Sequence, residues 1–254
     1  MQTFITLSKK VLKGIFIALF WLAVWQVIAN LVNSEVLVPT PAKVLSTLAG
    51  LIPTLKFWLA CLYSIIRVVA GFGIACLLGV FLGVVCKKVA FLGSLFSPLL
   101  HIIRSTPVIS FIILALVWIR TNYVPVFISF LMVVPIIYAA VQTGLDSVDR
   151  QLVEMAKVFN MKRRTVIGSI YMPAVLPVVL SQGTVGLGFA WKSGIAAEVI
   201  CLPLLSIGRQ LKDAKAIIET PEVFAWTATV IVLSLILEWL LKKTAAWAKG
   251  RWLV

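Results

Sequence analysis

Residues 58–86, WLACLYSIIRVVAGFGIACLLGVFLGVVC, carry a single charged side chain, Arg67, in an otherwise apolar run. Such a run has few destinations. Lipid offers no partner for a free backbone N–H or C=O, so a chain crosses the hydrocarbon core as a helix of about 20 apolar residues. The pattern recurs at about 14–32, 91–119, 124–144, 172–191 and 222–241. The 254 residues are 61% hydrophobic and 13% charged, where soluble domains carry about 25% charge. The expectation is an all-α integral membrane protein with about six transmembrane helices, forming a single transmembrane domain over 1–254.

Punctuation within the runs adds detail. Residues 1–13 with Lys9, Lys10 and Lys13 resemble a signal peptide, but the apolar run to Val32 is too long and lacks a small-residue cleavage site, so it reads as an uncleaved first span. Pro39 and Pro41 end that helix and begin a surface segment. RSTP (104–107) breaks the third segment, because Pro107 has no backbone donor. Gly71, Ala75, Gly79 and Gly83 recur every four residues and leave a groove for a neighbouring helix. Gly183, Gly186 and Gly188 offer a less regular version. Residues 192–221 mix short apolar pieces with Gly, Pro and charge, as re-entrant or surface helices do.

The net charge of +14 reads as membrane topology, and nucleic-acid binding is rejected. Basic residues gather on the cytoplasmic side of membrane proteins. With both termini there, that side holds fourteen Lys and Arg: three at the amino end, Lys87 and Lys88, five within 145–171, and four from Lys242 onward. The outer side holds seven, and Arg67 and Arg104 lie inside apolar segments. Cys61, Cys76, Cys86 and Cys201 have no CxxC spacing and read as inert apolar thiols.

The segment LVEMAKVFNMKRRTVIGSIYMP (152–173) is the exception to the apolar rule. Leu152, Met155, Ala156 and Phe159 form one stripe of a helix, with Arg150, Glu154 and Lys157 on another face. Asp146, Ser147 or Asp149 could cap its start, and Asn160 suits the left-handed residue that ends a helix. A second helical stretch is expected from Lys162 to Pro173. The pattern fits a helix lying on lipid or one docking a cytoplasmic partner.

These residues resemble the characteristic cytoplasmic loop of ABC importer permeases, E-A-A, three residues, Gly, nine residues, I-x-L-P. Here Glu154, Met155, Ala156, Asn160, Ile170 and Pro173 keep the spacing over 20 positions. Met155 replaces the first Ala, Asn160 the Gly, and Met172 the Leu. VPTPAKVLSTL, SIIRVVAGFGIACLLGVFLGVV, SPLLHIIRSTP and VGLGFAWKSGIAAEVI are similar to segments of the nitrate/sulfonate/taurine-type branch. The resemblance implies a type I ABC importer permease fold in a bacterial inner or plasma membrane. Its partners would be a second permease copy, as a homodimer, two ABC ATPase subunits and an extracytoplasmic substrate-binding protein. Glu154 to Phe159 would dock into a groove of the ATPase, Asn160 would form the turn, and Glu154 would pair with a basic residue there. ATP and Mg would bind the ATPase, so this chain has no cofactor of its own.

Charges inside apolar segments are costly and mark candidate pathway or gate residues. Arg67, Arg104, Lys192 and Glu198 qualify, as does Glu238 near the inner end of the last span. Arg67 could instead snorkel or bind a helix carbonyl. Arg104 at the broken helix could meet an anion. Lys192 and Glu198 flank the outer end of the fifth span, where they could pair or gate. His101 has no companion at ligand spacing, which argues against a metal. GLGFAWKS (186–193) misses the phosphate-loop pattern, because Trp191 stands where Gly must precede the lysine. ATP hydrolysis by this chain is not expected. A secondary transporter would be expected to show internal repeats, and a membrane enzyme needs a catalytic constellation; neither feature is visible. The family branch and the outer Lys192, Arg209, Lys212 and Lys215 favour a small anion such as a sulfonate or nitrate, with a thiamine-precursor pyrimidine or riboflavin as the alternative.

Overall fold

A computed structural model describes the backbone of residues 2–252 and the side chains of 14–247. The side chains of Lys9, Lys10, Lys13, Lys249 and Arg251, which entered the charge count, lie outside the described residues. Every regular element is helical among the described residues: α1 (Gln2–Val32), α2 (Pro41–Leu51), α3 (Leu55–Lys88), α4 (Ala90–Ser105), α5 (Val108–Trp118), α6 (Val124–Asp146), α7 (Arg150–Val158), α8 (Arg163–Val166), α9 (Met172–Cys201), α10 (Ile207–Ala216) and α11 (Thr220–Trp252). Five stretches are long and apolar enough to span a membrane, or six when the bent pair α4–α5 counts as one. This is a multi-pass membrane protein.

The chain forms two compact units, residues 1–58 with 210–230 and residues 59–209 with 231–254. In the first unit, Trp25 stacks on Phe224 at 5.7 Å between centroids and Phe57 on Trp226 at 5.1 Å. The indole of Trp25 donates to the Pro39 carbonyl at 3.1 Å. The Thr40 hydroxyl accepts from the Lys43 N–H at the start of α2, with Pro41 in the first turn. The expected surface segment after the first span is thus a capped helix.

The second unit is organised around α6. The side-chain-free faces of α3 explain why. A Cβ placed on Gly79 would stand 2.8 Å from Cβ of Ile137, and one on Gly83 would stand 2.7 Å from Cβ of Val141. The four-residue glycine spacing of α3 therefore seats α6, as its sequence pattern implied. The register runs the same way along both helices, so α3 and α6 are parallel and the chain must recross between them. That return is α4–α5, bent by 109° at Thr106-Pro107. The expected kink is in fact a sharp corner, with Thr106 extended and its hydroxyl donating to the Ile102 carbonyl at 2.8 Å.

α9 packs antiparallel to α6 in an extensive helix pair. Gly144 and Gly194 make the close approaches there: a Cβ on Gly144 would lie 2.7 Å from Cα of Val175, and one on Gly194 would lie 2.6 Å from Oγ of Ser129. The glycines expected to serve α9 contribute less, since a Cβ on Gly183 would meet nothing within 4 Å.

Two expected boundaries differ. The second helix after Asn160 does not stop at Pro173, and the fifth span does not stop at residue 191. Instead Arg163–Cys201 is one helical stretch of 39 residues. It passes Pro173 through a π-helical segment, Ile167–Tyr171, in which the Met172 N–H donates to the Ile167 carbonyl. The wider turn makes room for a proline ring that would otherwise strike the carbonyl four residues earlier. Ser193 and Glu198, beyond residue 191, stay helical with their partners inside the bundle.

Gly83→Ala should lower the apparent Tm of the detergent-purified protein, by the equivalent of about 1–3 kcal/mol of overpacking. Gly73→Ala, whose Cβ would meet nothing within 4 Å, should leave the Tm unchanged or raise it. Equal shifts for the two would contradict the α3–α6 packing.

Candidate functional site

Two assemblies of polar groups stand at opposite ends of the second unit. The first is the charged segment. α7 starts at Asp149, whose side chain accepts from the Gln151 N–H at 2.8 Å. Of the three candidate caps, Asp149 acts; Ser147 donates back to Gly144, and Asp146 pairs with Lys87. The helix closes with a Schellman motif. The Met161 N–H donates to the Ala156 carbonyl at 2.9 Å, and the Asn160 N–H to Lys157 at 3.1 Å. Asn160 is left-handed at φ 48°, in the conformation foreseen for it. Ala156 is buried, whereas Leu152, Glu154, Met155, Val158 and Phe159 are exposed. Most of the apolar stripe therefore points away from the bundle. Ile170 is buried and Pro173 half-buried in the following helix.

The second assembly centres on Glu198, whose side chain has no solvent exposure. Its Oε2 accepts from Ser64 Oγ at 2.7 Å and from the Gly208 N–H at 3.2 Å, and its Oε1 accepts from Arg67 Nη1 at 3.1 Å. The Arg67 guanidinium also donates to the carbonyls of Leu204, at 2.7 Å, and Leu205, at 3.2 Å. It lies 5.8 Å from the Tyr63 ring centroid. The Ile207 N–H donates to Ser64 Oγ at 3.0 Å and the Arg209 N–H to Ser206 Oγ at 3.1 Å. The first three N–H groups of α10 are thereby satisfied by three side chains, one of them anionic at the positive end of the helix dipole. The loop so held contains two left-handed leucines, Leu202 at φ 54° and Leu205 at φ 50°, a conformation that costs a non-glycine residue about 1–2 kcal/mol.

The four sequence-selected charges separate accordingly. Arg67 and Glu198 meet, although 131 positions apart. Arg67 does bind carbonyls, but those of the 202–206 loop rather than of a helix. Lys192 and Glu198 do not pair. Lys192 is exposed on α9 in a cleft that also contains Glu238 and Lys242. Arg104 donates to the Pro135 carbonyl of α6, which ties the corner of α4–α5 to the central helix. Ser64, Ser206 and Gly208 were not singled out in the sequence. Only the opposite charges of Arg67 and Glu198 signalled the cluster there. No group of three potential metal ligands occurs among the described residues.

A family model for the binding-protein-dependent transport system inner membrane component matches residues 75–246. The chain belongs to this permease family. Among its relatives is a Bacillus subtilis strain 168 permease named for aliphatic sulfonates transport, 28% identical over 84% of this chain and 78% of its own. The taurine transport system permease of Escherichia coli K12 is 23% identical over 91% and 86%. Among solved structures, an amino acid ABC transporter crystallised with histidines superposes with a TM-score of 0.54 at 16% identity, covering 74% of this chain and 90% of that one. The MetNI methionine transporter gives 0.53 at 18% identity, with the same coverage. These two show the shared fold. The permease is accordingly an ABC transporter subunit, and its anticipated membership and architecture are borne out.

Removing one partner of a buried ion pair strands the other, at roughly 3–5 kcal/mol. Glu198→Gln and Arg67→Gln should each lower the permease's apparent Tm strongly, while Lys192→Gln should stay within about 0.5 kcal/mol of the parent. The Arg67→Gln/Glu198→Gln double variant should lose less than the two single losses combined; strict additivity would show that the pair is not coupled.

Proposed function

We propose that this chain is the pathway-forming permease of an ATP-driven importer, working as a homodimer with two ABC ATPase subunits and an extracytoplasmic binding protein. α7 carries this reading: it is short, capped at both ends, and presents Met155 and Phe159 outward beside Glu154. A rigid helix with apolar anchors suits insertion into a groove on a partner. Asn160 sets the turn that aims it, and Ala156 seats it on the bundle.

From that turn, the stretch Arg163–Cys201 runs without interruption to the Glu198 cluster. Arg67 lies about 30 Å along α3 from Lys87, so the cluster and α7 stand at opposite ends of the hydrocarbon layer. Movement of α7 with the ATPases would reach the Glu198 end of α9 through continuous helix. ATP and Mg act on the ATPases, with this chain converting their closure into a change of access. Both termini and α7 face the cytoplasm, in keeping with the basic residues on that side, and the membrane is the bacterial inner or plasma membrane.

The solute is a small organic or inorganic anion. The sulfonate and taurine permeases among the relatives, and a bicarbonate transport permease of Synechococcus elongatus 26% identical over 62% of this chain, support this reading.

Glu154→Arg should reduce the ATPase recovered with the tagged permease by about tenfold, as loss of ~1.4 kcal/mol implies, with the permease Tm unchanged. Wild-type recovery would remove α7 as the contact. The binding protein that serves this permease should show a raised Tm with taurine, an alkanesulfonate, nitrate or bicarbonate. A response only to a thiamine-precursor pyrimidine or riboflavin would overturn the anion assignment.

A further inference from the structure

A cleft of about 650 Å³ lies between α9 and the second half of α11, within the 300–1,000 Å³ range of small-molecule sites. Its α9 wall is one helical stripe, Ser181, Thr184, Gly188 and Lys192, at spacings of three and four. Its α11 wall presents Glu238 and Lys242 one turn apart. We propose that this cleft is a station for a small oxyanion, such as a sulfonate or carboxylate, with Lys192 as its cation; this deepens the importer reading and rests on it.

The charge arrangement assigns the class. Glu238 is engaged by Lys242 at 3.6 Å, so the two cancel. The ammonium of Lys192, exposed in the cleft, remains as its unbalanced charge. A single carboxylate already held by a lysine is a poor site for a cation. Gly188 brings no side chain into the cleft; a Cβ there would make an ordinary contact, 3.5 Å from Glu238 Oε1. About 16 Å along the helix from Lys192, towards the end of α9 that leads back to α7, the Ser181 hydroxyl lines the same cleft, while Thr184 donates to the Leu180 carbonyl at 3.3 Å.

The test uses thiol chemistry in native membrane fragments open on both sides. Ser181→Cys and, separately, Thr184→Cys are labelled with sulfonatoethyl methanethiosulfonate, an anion, and trimethylammonioethyl methanethiosulfonate, a cation. Rates are divided by those for a free thiol, and the parent chain supplies the background from Cys76; Cys61, Cys86 and Cys201 are buried. The anionic reagent should be preferred by about fivefold or more, as focused charge enriches a counter-ion. Adding Lys192→Gln should abolish that preference, and adding Lys43→Gln, distant in sequence and paired with Glu35, should not. Ethanesulfonate in excess should slow the labelling only where Lys192 is present.

Equal or cation-favouring rates would overturn the proposal, as would a preference that survives Lys192→Gln. Failure of both reagents at both cysteines would do so as well, since the cleft would then be covered by lipid or another chain. The readout needs neither transport nor ATPase binding. Loss of the importer reading and loss of the anion station would therefore appear in different experiments.

Discussion

A carboxylate without solvent access has to be satisfied entirely by protein, and Glu198 is satisfied by three groups from two separate helices. Ser64 and Arg67 come from α3, and the Gly208 N–H comes from the start of α10. Arg67 in turn holds the carbonyls of the loop between α9 and α10, where two leucines accept left-handed backbone. The remaining geometry depends on this knot. If Glu198 turned away, α10 would lose a partner for its first turn, Arg67 would be left inside an apolar segment, and the strained loop would lose its restraint. One charge pair thus ends α9, begins α10 and joins both to α3.

Within the second unit, such a knot tolerates little looseness in the helices that bring it together. Glycines provide the closeness. Gly79 and Gly83 let α6 lie against α3, and Gly194 brings α9 against Ser129 and Val68 close to Arg67 and Glu198. In lipid there is no hydrophobic drive between helices, so close backbone approach and buried polar pairing carry much of the specificity. The π-helical segment at Ile167–Tyr171 contributes continuity. It lets a proline-containing stretch run unbroken from the Asn160 turn to Cys201. The buried Glu198 therefore stands near the far end of the same helical stretch that begins just after the Asn160 turn.

The two charged neighbours on α9 show how environment divides residues of the same element. Glu198 is locked into structure, while Lys192, about a turn and a half earlier, faces the cleft between α9 and α11. A charge in a membrane helix can thus be locked into a joint or left exposed, according to whether a partner of opposite sign is in reach.

Much of this protein was legible from one-dimensional pattern. The apolar runs marked the helices, because a bilayer accepts almost nothing else, and the charged segment between them stood out against that background. Asp149, Asn160 and the four-residue glycine spacing act locally, through caps, a left-handed turn and one helix face, so their roles survive in the linear string. Pairing did not. That Glu198 meets Arg67 rather than Lys192, that α4–α5 folds back at a corner rather than a mild kink, and that α9 continues through Pro173 and past residue 191 depend on contacts between distant segments. A helix ends where its last backbone and side-chain groups stop finding partners, and those partners are supplied only when the chain packs. The sequence by itself determined a bundle of membrane helices interrupted by one charged amphipathic segment; tertiary structure decided which charges within the apolar runs became scaffold and which stayed exposed, because the energy of such a charge depends on what stands opposite it.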